Sequence, residues 1–328
     1  MTSRPLEILN DLSPTAKILG INISGQKTSA VFGDVTGLIY ERTQMEAISG
    51  QPFPEAFDAI CALADTLLKV CRAQGLSSPE VVSVAVSGSV DFSRGIVISA
   101  PDLPKWDDVP LKGRLGVRYN LPVMIEHRSN AGALAEMVFG AGVGVPDQIF
   151  LDLEPVVSAG IIKNGKIYHG ANDAAGEIGS MRMAPAGPAG LGYPGSLTGF
   201  ASGLGMAELA HNRYPGLWPV PPKAYEFVSA VNAGQEEAQQ VIAESAEYLG
   251  KALLWLVLTL DPELVVFGHP ADLLGENLLE PLRDAVLRHG GGEARLLPRL
   301  ALSKCAVRLD DMAALMAVIS AYRNHTRD

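Results

Sequence analysis

A short polar segment of this 328-residue chain combines an acid, an imidazole, a guanidinium and an amide. It begins at the end of the predicted strand LPVMIE and contains Glu126, His127, Arg128 and Asn130. A carboxylate beside a hydroxyl can accept its proton, whereas a guanidinium stays protonated at neutral pH and has no acceptor atom. Arg128 is therefore excluded as a general base.

Metal and thiol chemistry have weak support in the sequence. Cys61, Cys71 and Cys305 form no C-x-x-C pair, so we expect small core residues rather than a disulfide framework or a metal cluster. His169 stands apart from other potential ligands, and we expect a hydrogen-bonded loop histidine there. The sequence predicts neither a metal site nor a bound cofactor.

Composition and charge exclude several classes of protein. The chain has 26 basic and 36 acidic side chains and a formal net charge of −10, which argues against a dominant nucleic-acid-binding surface. Apolar residues make up 48% and charged residues 19%, which is ample for a packed core and excludes a disordered chain. The longest strongly apolar run, 252–260, is far shorter than the about 20 residues of a bilayer helix, and acidic residues stand where a signal peptide is apolar. We expect a soluble, cytoplasmic protein.

Strands and helices must position the polar segment, and the hydrophobic pattern predicts an α/β fold. From Ile18, three β-like segments separated by turns predict a meander: ILGINIS, TSAVFGD and GLIYERT. An apolar stripe at three- and four-residue spacing predicts a helix over 55–73. The uniformly apolar run VVSVAVSG is typical of a buried parallel strand, and GIVISA predicts a further short strand.

A similar order of elements recurs later in the chain. Asn130 is predicted to cap a helix that ends at Phe139, after which QIFLDLEPV and SAGIIKNGKIYHG predict strands. A helix over 235–260 leads to the strand ELVVFG, and DDMAALMAVISAYR predicts a C-terminal helix. Two meander-plus-helix units predict a duplicated, two-lobed α/β architecture with a cleft between the lobes.

The order of these motifs resembles the ROK family of repressors, open reading frames and sugar kinases. The resemblance runs from Ile18 to Tyr322 and is clearest in GINISGQK, VSGSVDFSRGIVISAPDLPKWDDVPL, LPVMIEHRSNAGALAE, HGANDAAGEIG and DPELVVFGH. It implies an actin-like ATPase fold of the hexokinase type, which is ribonuclease H-like and closes over a hexose and ATP. The implied lobes are N-terminal, over 17–125 with 308–328, and C-terminal, over 126–307, after a linker-like segment over 1–16.

Compared residue by residue, the resemblance implies a degenerate site. The family's base is the Asp of an E-N-D-A-N motif, and Arg128 occupies that position, so no catalytic residue is expected. The first phosphate hairpin, D-x-G-G-T-K in the family, keeps Gly25 and Lys27 but has Asn22 in place of the acid. In the second hairpin Glu154 brings negative charge toward an anion, and the proline after it removes an N–H donor. We expect no phosphate cradle.

The zinc site and the sugar pocket of the family are altered as well. Ser180 follows G-E-I-G where the family has a zinc-binding His, and the loop over 184–199 contains no cysteine, so a tetrahedral site cannot form. We expect Leu191, Tyr193 and Leu197 to hold that loop by packing. The ligand-binding candidates that the resemblance implies are Gly88, Asp102, which replaces an Asn, Glu126, His127, Arg128, Asn130 and Glu177.

Three functions stay open. The first is a catalytically inactive sensor or regulator, without a DNA-reading domain in this chain because only about 15 residues precede the first strand. The second is an ATP-dependent sugar kinase of the glucokinase or N-acetylhexosamine kinase type, and the third is a structural subunit. The expected partners are a sugar or sugar phosphate and a second copy of the chain, with neither nucleic acid nor membrane.

Arg128 is also expected to form an ion pair. A buried guanidinium without a carboxylate is costly, and the fork of N–H groups favours a two-point pair. We expect Arg128 to pair with Glu154, or failing that with Asp102 or Glu177, at the position of the transferred phosphate.

Overall fold

The computed structural model describes residues 12–326, so most of the predicted linker-like segment lies outside the described residues. The chain divides into two compact units. The first contains the described residues up to Ala135, Gly170–Ala174 and the described residues from Val307, and the second contains Glu136–His169 and Ala175–Ala306. The first unit extends past the expected boundary at 125 because the strand that ends in His127 pairs within its sheet.

The strands of the described chain are β1 (Lys17–Ile23), β2 (Lys27–Asp34), β3 (Ile39–Glu46), β4 (Val81–Val86), β5 (Ser89–Asp91), β6 (Ile96–Ser99), β7 (Val123–His127), β8 (Gln148–Asp152), β9 (Ser158–Lys163), β10 (Lys166–Ile167), β11 (Leu264–Phe267) and β12 (Arg299–Leu302). The α-helices are α1 (Phe53–Ala73), α2 (Leu111–Tyr119), α3 (Arg128–Phe139), α4 (Leu197–Ala201), α5 (Gly203–Arg213), α6 (Ala224–Asn232), α7 (Glu236–Leu260), α8 (Ala271–Leu274), α9 (Glu276–His289) and α10 (Leu309–His325). Across residues 12–326, no helix combines the length and the apolar character needed to span a bilayer.

The first unit is built on a five-stranded sheet in the order β3-β2-β1-β4-β7. The meander β1-β2-β3 is antiparallel, and β4 and β7 extend it in parallel. One face of the sheet forms a core with α1 and α2 through residues such as Ile21, Val84 and Ile60. The other face lies against α10, where a side chain at Gly20 would place its Cβ 2.8 Å from Leu315. The C-terminal helix therefore completes the N-terminal unit.

The second unit repeats this plan with the strand order β10-β9-β8-β11-β12. Here β8, β9 and β10 form the antiparallel meander, and β11 and β12 extend it in parallel. Its core is formed by the sheet and α4 to α9, with Phe200, Leu253 and Phe267 buried. Both sheets thus place three parallel strands side by side, with their carboxyl ends at one edge.

Most predicted elements are present where the hydrophobic pattern indicated them, including both meanders, α1, β4, α7 and α10. The predicted cap is wrong: α3 begins at Arg128, so Asn130 lies in its first turn and bonds to a side chain in the preceding strand. Cys61 and Cys71 are buried as expected, whereas Cys305 is partly exposed.

Candidate functional site

The candidate site of the first unit lies at the carboxyl ends of its three parallel strands. Ile23 pairs with Val86, and Val86 pairs with His127, so the residues that follow these strands emerge at the same edge of the sheet. In α/β proteins, ligands bind at this edge because loops and helix starts converge there. This register brings the hairpin after β1, Ser87 after β4 and Arg128 after β7 into one neighbourhood.

Glu126 organises the polar segment that the sequence singled out. Its side chain is 6% exposed, and its Oε1 accepts hydrogen bonds from Asn130 Nδ2 and from the His127 N–H, both at 2.9 Å. His127 Nδ1 lies 2.7 Å from the Ser129 hydroxyl. The turn from β7 into α3 thus brings these polar groups together. The candidates Glu126, His127 and Asn130 are thus adjacent.

Arg128 forms an ion pair with a residue that the sequence did not indicate. Its Nη2 lies 3.2 Å from Asp310 Oδ1, and Lys27 Nζ lies 3.3 Å from the other oxygen of Asp310. Burial would raise the pKa of Asp310, but the charges of Arg128 and Lys27 outweigh it and lower the pKa. The first turn of α10 therefore supplies a carboxylate to two cations at the strand ends.

This outcome agrees with part of the expected pairing. Arg128 has a carboxylate oxygen within 4 Å, as expected, and that oxygen belongs to Asp310, at the start of the C-terminal helix, which the sequence did not indicate. Asp102, one of the expected partners, is close enough for Arg128 to lower its pKa. Glu154 and Glu177 belong to the second unit, so pairing with them stays a prediction.

Asp102 is buried in the loop between β6 and α2, with 2% of its surface exposed. Its Oδ2 accepts the Gly25 N–H at 2.7 Å, and its Oδ1 has no hydrogen-bond partner among the described residues. Burial raises the pKa of Asp102, although the Gly25 N–H, the charge of Arg128 and the neighbouring Ser87 hydroxyl act in the opposite direction. A Cβ at Gly25 would lie 2.0 Å from the Asp102 carbonyl oxygen, so this hairpin needs glycine to approach the loop.

Two further candidates lie near the same strand ends. Asn22 in β1 is 1% exposed, and its Oδ1 has no hydrogen-bond partner among the described residues. Gly88 follows β4 with a φ of 91°, and a Cβ there would lie 2.3 Å from the Ser99 carbonyl oxygen. Both the conformation and the close approach require glycine at position 88.

The corresponding edge of the second unit is acidic. Glu154 Oε2 lies 3.8 Å from His269 Nε2, and His269 Nδ1 lies 3.0 Å from Asp272 Oδ1. The hydrogen bond to Asp272 raises the pKa of His269 despite burial, and Glu154 and Asp152 add to that effect. Three carboxylates beside one imidazole make an unfavourable environment for a polyphosphate. The sequence identified Glu154 but missed His269 and Asp272, and the one signal for these two residues was their position after β11.

The second hairpin also uses its own N–H groups within the protein. The Val157 N–H donates to Thr198 Oγ1 at 3.2 Å, and the Ala159 N–H donates to the Gly176 carbonyl at 2.8 Å. A phosphate cradle needs N–H groups that point toward the ligand. These two hydrogen bonds are consistent with the predicted loss of that cradle.

Hydrogen bonds to Glu208 help to hold the loop over 184–199. Glu208 Oε2 accepts the N–H groups of Ala189 and Gly190, both at 2.7 Å. Leu197 is buried as predicted, and Leu191 and Tyr193 are partly buried, so their packing role stays a prediction. Among residues 12–326, no group of three or more His, Cys, Asp or Glu side chains could hold a metal ion. Glu177, at the start of the short turn 178–180, is exposed.

Comparison with known proteins places this architecture among sugar kinases and regulators. The chain is 31% identical to a glucokinase of Halalkalibacterium halodurans over 73% of this chain and 74% of that enzyme. It is 32% identical to a xylose repressor of Caldicellulosiruptor bescii over 62% of this chain and 54% of the repressor, about half of that protein.

A solved structure shares the architecture. The ROK family glucokinase from Streptomyces griseus, crystallised with glucose and AMPPNP, superposes with a TM-score of 0.78 at 28% identity. The match covers 91% of this chain and 98% of that enzyme, which confirms the predicted actin-like α/β fold class. The sequence profile of the ROK family matches residues 18–292. The chain therefore belongs to the ROK family.

Proposed function

We propose that this chain is a sugar-sensing, regulator-type member of the ROK family that does not transfer phosphate. Arg128 carries the proposal. By its resemblance to the ROK family, the chain has Arg128 at the position of the family's proton acceptor. Its Nη2 lies 3.2 Å from Asp310 Oδ1, and this ion pair favours the charged guanidinium. A group without an acceptor atom cannot take the proton of a sugar hydroxyl.

The second unit supports the same proposal. Phosphoryl transfer depends on positioned N–H donors and cations around the phosphates. At this edge the chain instead places Glu154, His269 and Asp272, and it donates the Val157 N–H to its own Thr198. The xylose repressor among the relatives shows that regulators share this sequence family. A sugar or sugar-phosphate ligand and a homodimer are part of the proposal.

An ATP-dependent sugar kinase is the alternative, and the glucokinase relatives favour it. One of them is 31% identical over 73% of this chain. Under this alternative another carboxylate of the first unit would have to accept the proton that Arg128 cannot.

Two measurements on the purified chain separate these functions. The first is ADP release from ATP and Mg²⁺ with D-glucose, D-mannose and N-acetyl-D-glucosamine, compared with a mock preparation and with an active ROK glucokinase. We expect no release above the mock, and release with any of these sugars would establish the kinase. The second is the melting temperature with each sugar, which a ligand that binds only the folded chain raises. No increase with any sugar would refute sugar sensing.

A further inference from the structure

A histidine at the edge of the second unit lies between two carboxylates from different segments. His269 follows β11, Asp272 lies in α8, and Glu154 lies in the hairpin after β8. Since β8 and β11 are adjacent parallel strands, the residues that follow them meet at one edge of the sheet. The Gly268 N–H donates to the Leu151 carbonyl at 2.8 Å and joins the two strand ends. This register places the imidazole between the hairpin and α8.

The two ring nitrogens of His269 make different contacts. Nδ1 lies 3.0 Å from Asp272 Oδ1, a hydrogen-bond distance, whereas Nε2 lies 3.8 Å from Glu154 Oε2, an ion-pair distance. An ionised carboxylate only accepts hydrogen bonds, so Nδ1 carries a hydrogen in the neutral and in the charged imidazole. Nε2 carries a hydrogen only in the charged form. The attraction between His269 and Glu154 therefore depends on the second proton of the ring.

The acidic groups that face His269 favour its charged form. They are Asp272 in α8, Glu154 in the hairpin and Asp152 at the end of β8. The hydrogen bond to Asp272 raises the pKa of His269 above its ordinary value of 6.5, and the negative charges of the three carboxylates add to that effect against the opposing effect of burial. His269 therefore keeps its second proton at weakly acidic pH and loses it as the pH rises above 6.5.

The Glu154 carboxylate is also confined by α5. A Cβ on Gly203, the first residue of that helix, would lie 2.4 Å from Glu154 Oε1, and the Gly203 N–H donates to the Leu153 carbonyl at 3.3 Å. One carboxylate oxygen thus lies against the helix start while the other lies toward His269. When Nε2 has no hydrogen, its lone pair faces that second oxygen, and two acceptors repel each other. The carboxylate has little room beside α5, so the hairpin itself must move.

We propose that His269 is a proton-dependent latch, which fastens the hairpin over 153–157 to α8 when both ring nitrogens carry hydrogen and releases the hairpin when Nε2 loses its hydrogen. The same hairpin donates the Val157 N–H to Thr198 Oγ1 in α4, so its release also loosens that contact. The edge of the second unit thereby responds to pH. This inference goes beyond the proposed function, because it depends neither on sugar binding nor on the absence of phosphate transfer.

The test follows amide hydrogen exchange of the full chain by NMR from about pH 6 to about pH 9, a range that spans imidazole titration. Protection is the intrinsic exchange rate divided by the observed rate at the same pH, which removes the direct effect of pH. We expect the Glu154 and Val157 amides to lose protection about fivefold, as for a partly exposed ion pair, at the pH where the His269 ring signals titrate. The Ala189 and Gly190 amides, which bond to Glu208, should keep theirs. Constant protection of the hairpin over this range would overturn the inference.

The His269→Gln variant assigns the response to one residue. Its amide can still donate to Asp272 but cannot take up a proton, so we expect low protection of the hairpin that does not change with pH. His289→Gln is the matched control, because His289 also pairs with a carboxylate of this unit, Glu247, at 2.6 Å, and it should retain the wild-type response. A response that survives His269→Gln overturns the inference. If circular dichroism shows that this variant is unfolded, Glu154→Gln, which removes the charge opposite Nε2, decides by the same criterion.

Discussion

The Asp310 carboxylate receives two cations that emerge from different parts of the first unit. Lys27 reaches it from β2 and Arg128 from the start of α3, at 3.3 and 3.2 Å. The Arg128 side chain is 13% exposed and that of Asp310 is 23% exposed, so water screens this pair less than a surface ion pair. Arg128 therefore joins the start of α3 to the C-terminal helix.

Arg128→Ala should lower the free energy of unfolding by about 2 kcal/mol at pH 7, between the values for surface and buried pairs. The pKa of Asp310 lies below its ordinary value of 3.8, so its pairing stabilises the folded chain above that pH and is lost as the pH falls through the lowered pKa. Urea denaturation measures the free energy of unfolding of the wild-type chain and of Arg128→Ala. The difference between these two free energies should shrink below about pH 4, because Asp310 loses its charge there.

The control for this change is Arg118→Ala. Arg118 pairs with Asp65 at a more exposed position, so its removal should cost less than about 1 kcal/mol. Equal effects of the two substitutions at neutral pH would contradict the stabilising role of the Arg128 pair.

At the scale of elements, the loop over 184–199 shows how a segment without thiolates is kept in place. One carboxylate oxygen of Glu208, in α5, accepts two consecutive N–H groups of the loop. Ser196 Oγ accepts the Gly199 N–H at 3.1 Å and so caps α4, which follows the loop. The contacts connect the loop to the helices that pack beneath it.

Glu208→Ala should destabilise the chain by about 1–3 kcal/mol, because it removes the acceptor of two N–H groups. The amides of Ala189 and Gly190 should then exchange hydrogen faster, as measured by mass spectrometry or NMR. Glu280→Ala, on the exposed surface of α9, is the matched control and should leave this exchange unchanged. EDTA should not lower the melting temperature of the wild-type chain, and a decrease would indicate that a metal holds the loop.

At the scale of the whole molecule, the two ends of the chain build one unit. The sheet that begins with β1 is covered on one face by α10, whose residues from Leu309 to Ser320 are largely buried. Gly20 in β1 and Gly33 in β2 lie against Leu315 of that helix. Folding of the first unit therefore depends on residues separated by almost the whole sequence.

A chain that ends after Arg308 should lack a stable first unit. Loss of α10 exposes the apolar face of the sheet, so the amides of β1 and β4 should lose protection from hydrogen exchange while β8 and β11 retain theirs. A chain that ends after His325 keeps all of α10 and is the control. Retained protection of β1 in the shorter chain would show that α10 is dispensable for this unit.

The sequence by itself determined the succession of elements in both units. Alternating and uniformly apolar runs predicted β1 to β4, and the spacing of apolar residues predicted α1, α7 and α10, because these patterns reflect which side of an element is buried. The polar segment at Glu126 was also readable, since its hydrogen bonds join residues at most four positions apart. Local periodicity and short separations require no knowledge of the tertiary fold.

Only the tertiary structure decided which residues face one another at the site. Arg128 and Asp310 are 182 positions apart, and Gly25 and Asp102 are 77 apart. The sequence indicated that Arg128 needs a carboxylate and offered three acids, but Asp310 was not among them. The packing of α10 on the sheet brings Asp310 to Arg128, because it carries the start of that helix to the strand ends. Contacts between residues so far apart depend on how the apolar faces of distant elements pack, and a local sequence pattern does not predict that packing.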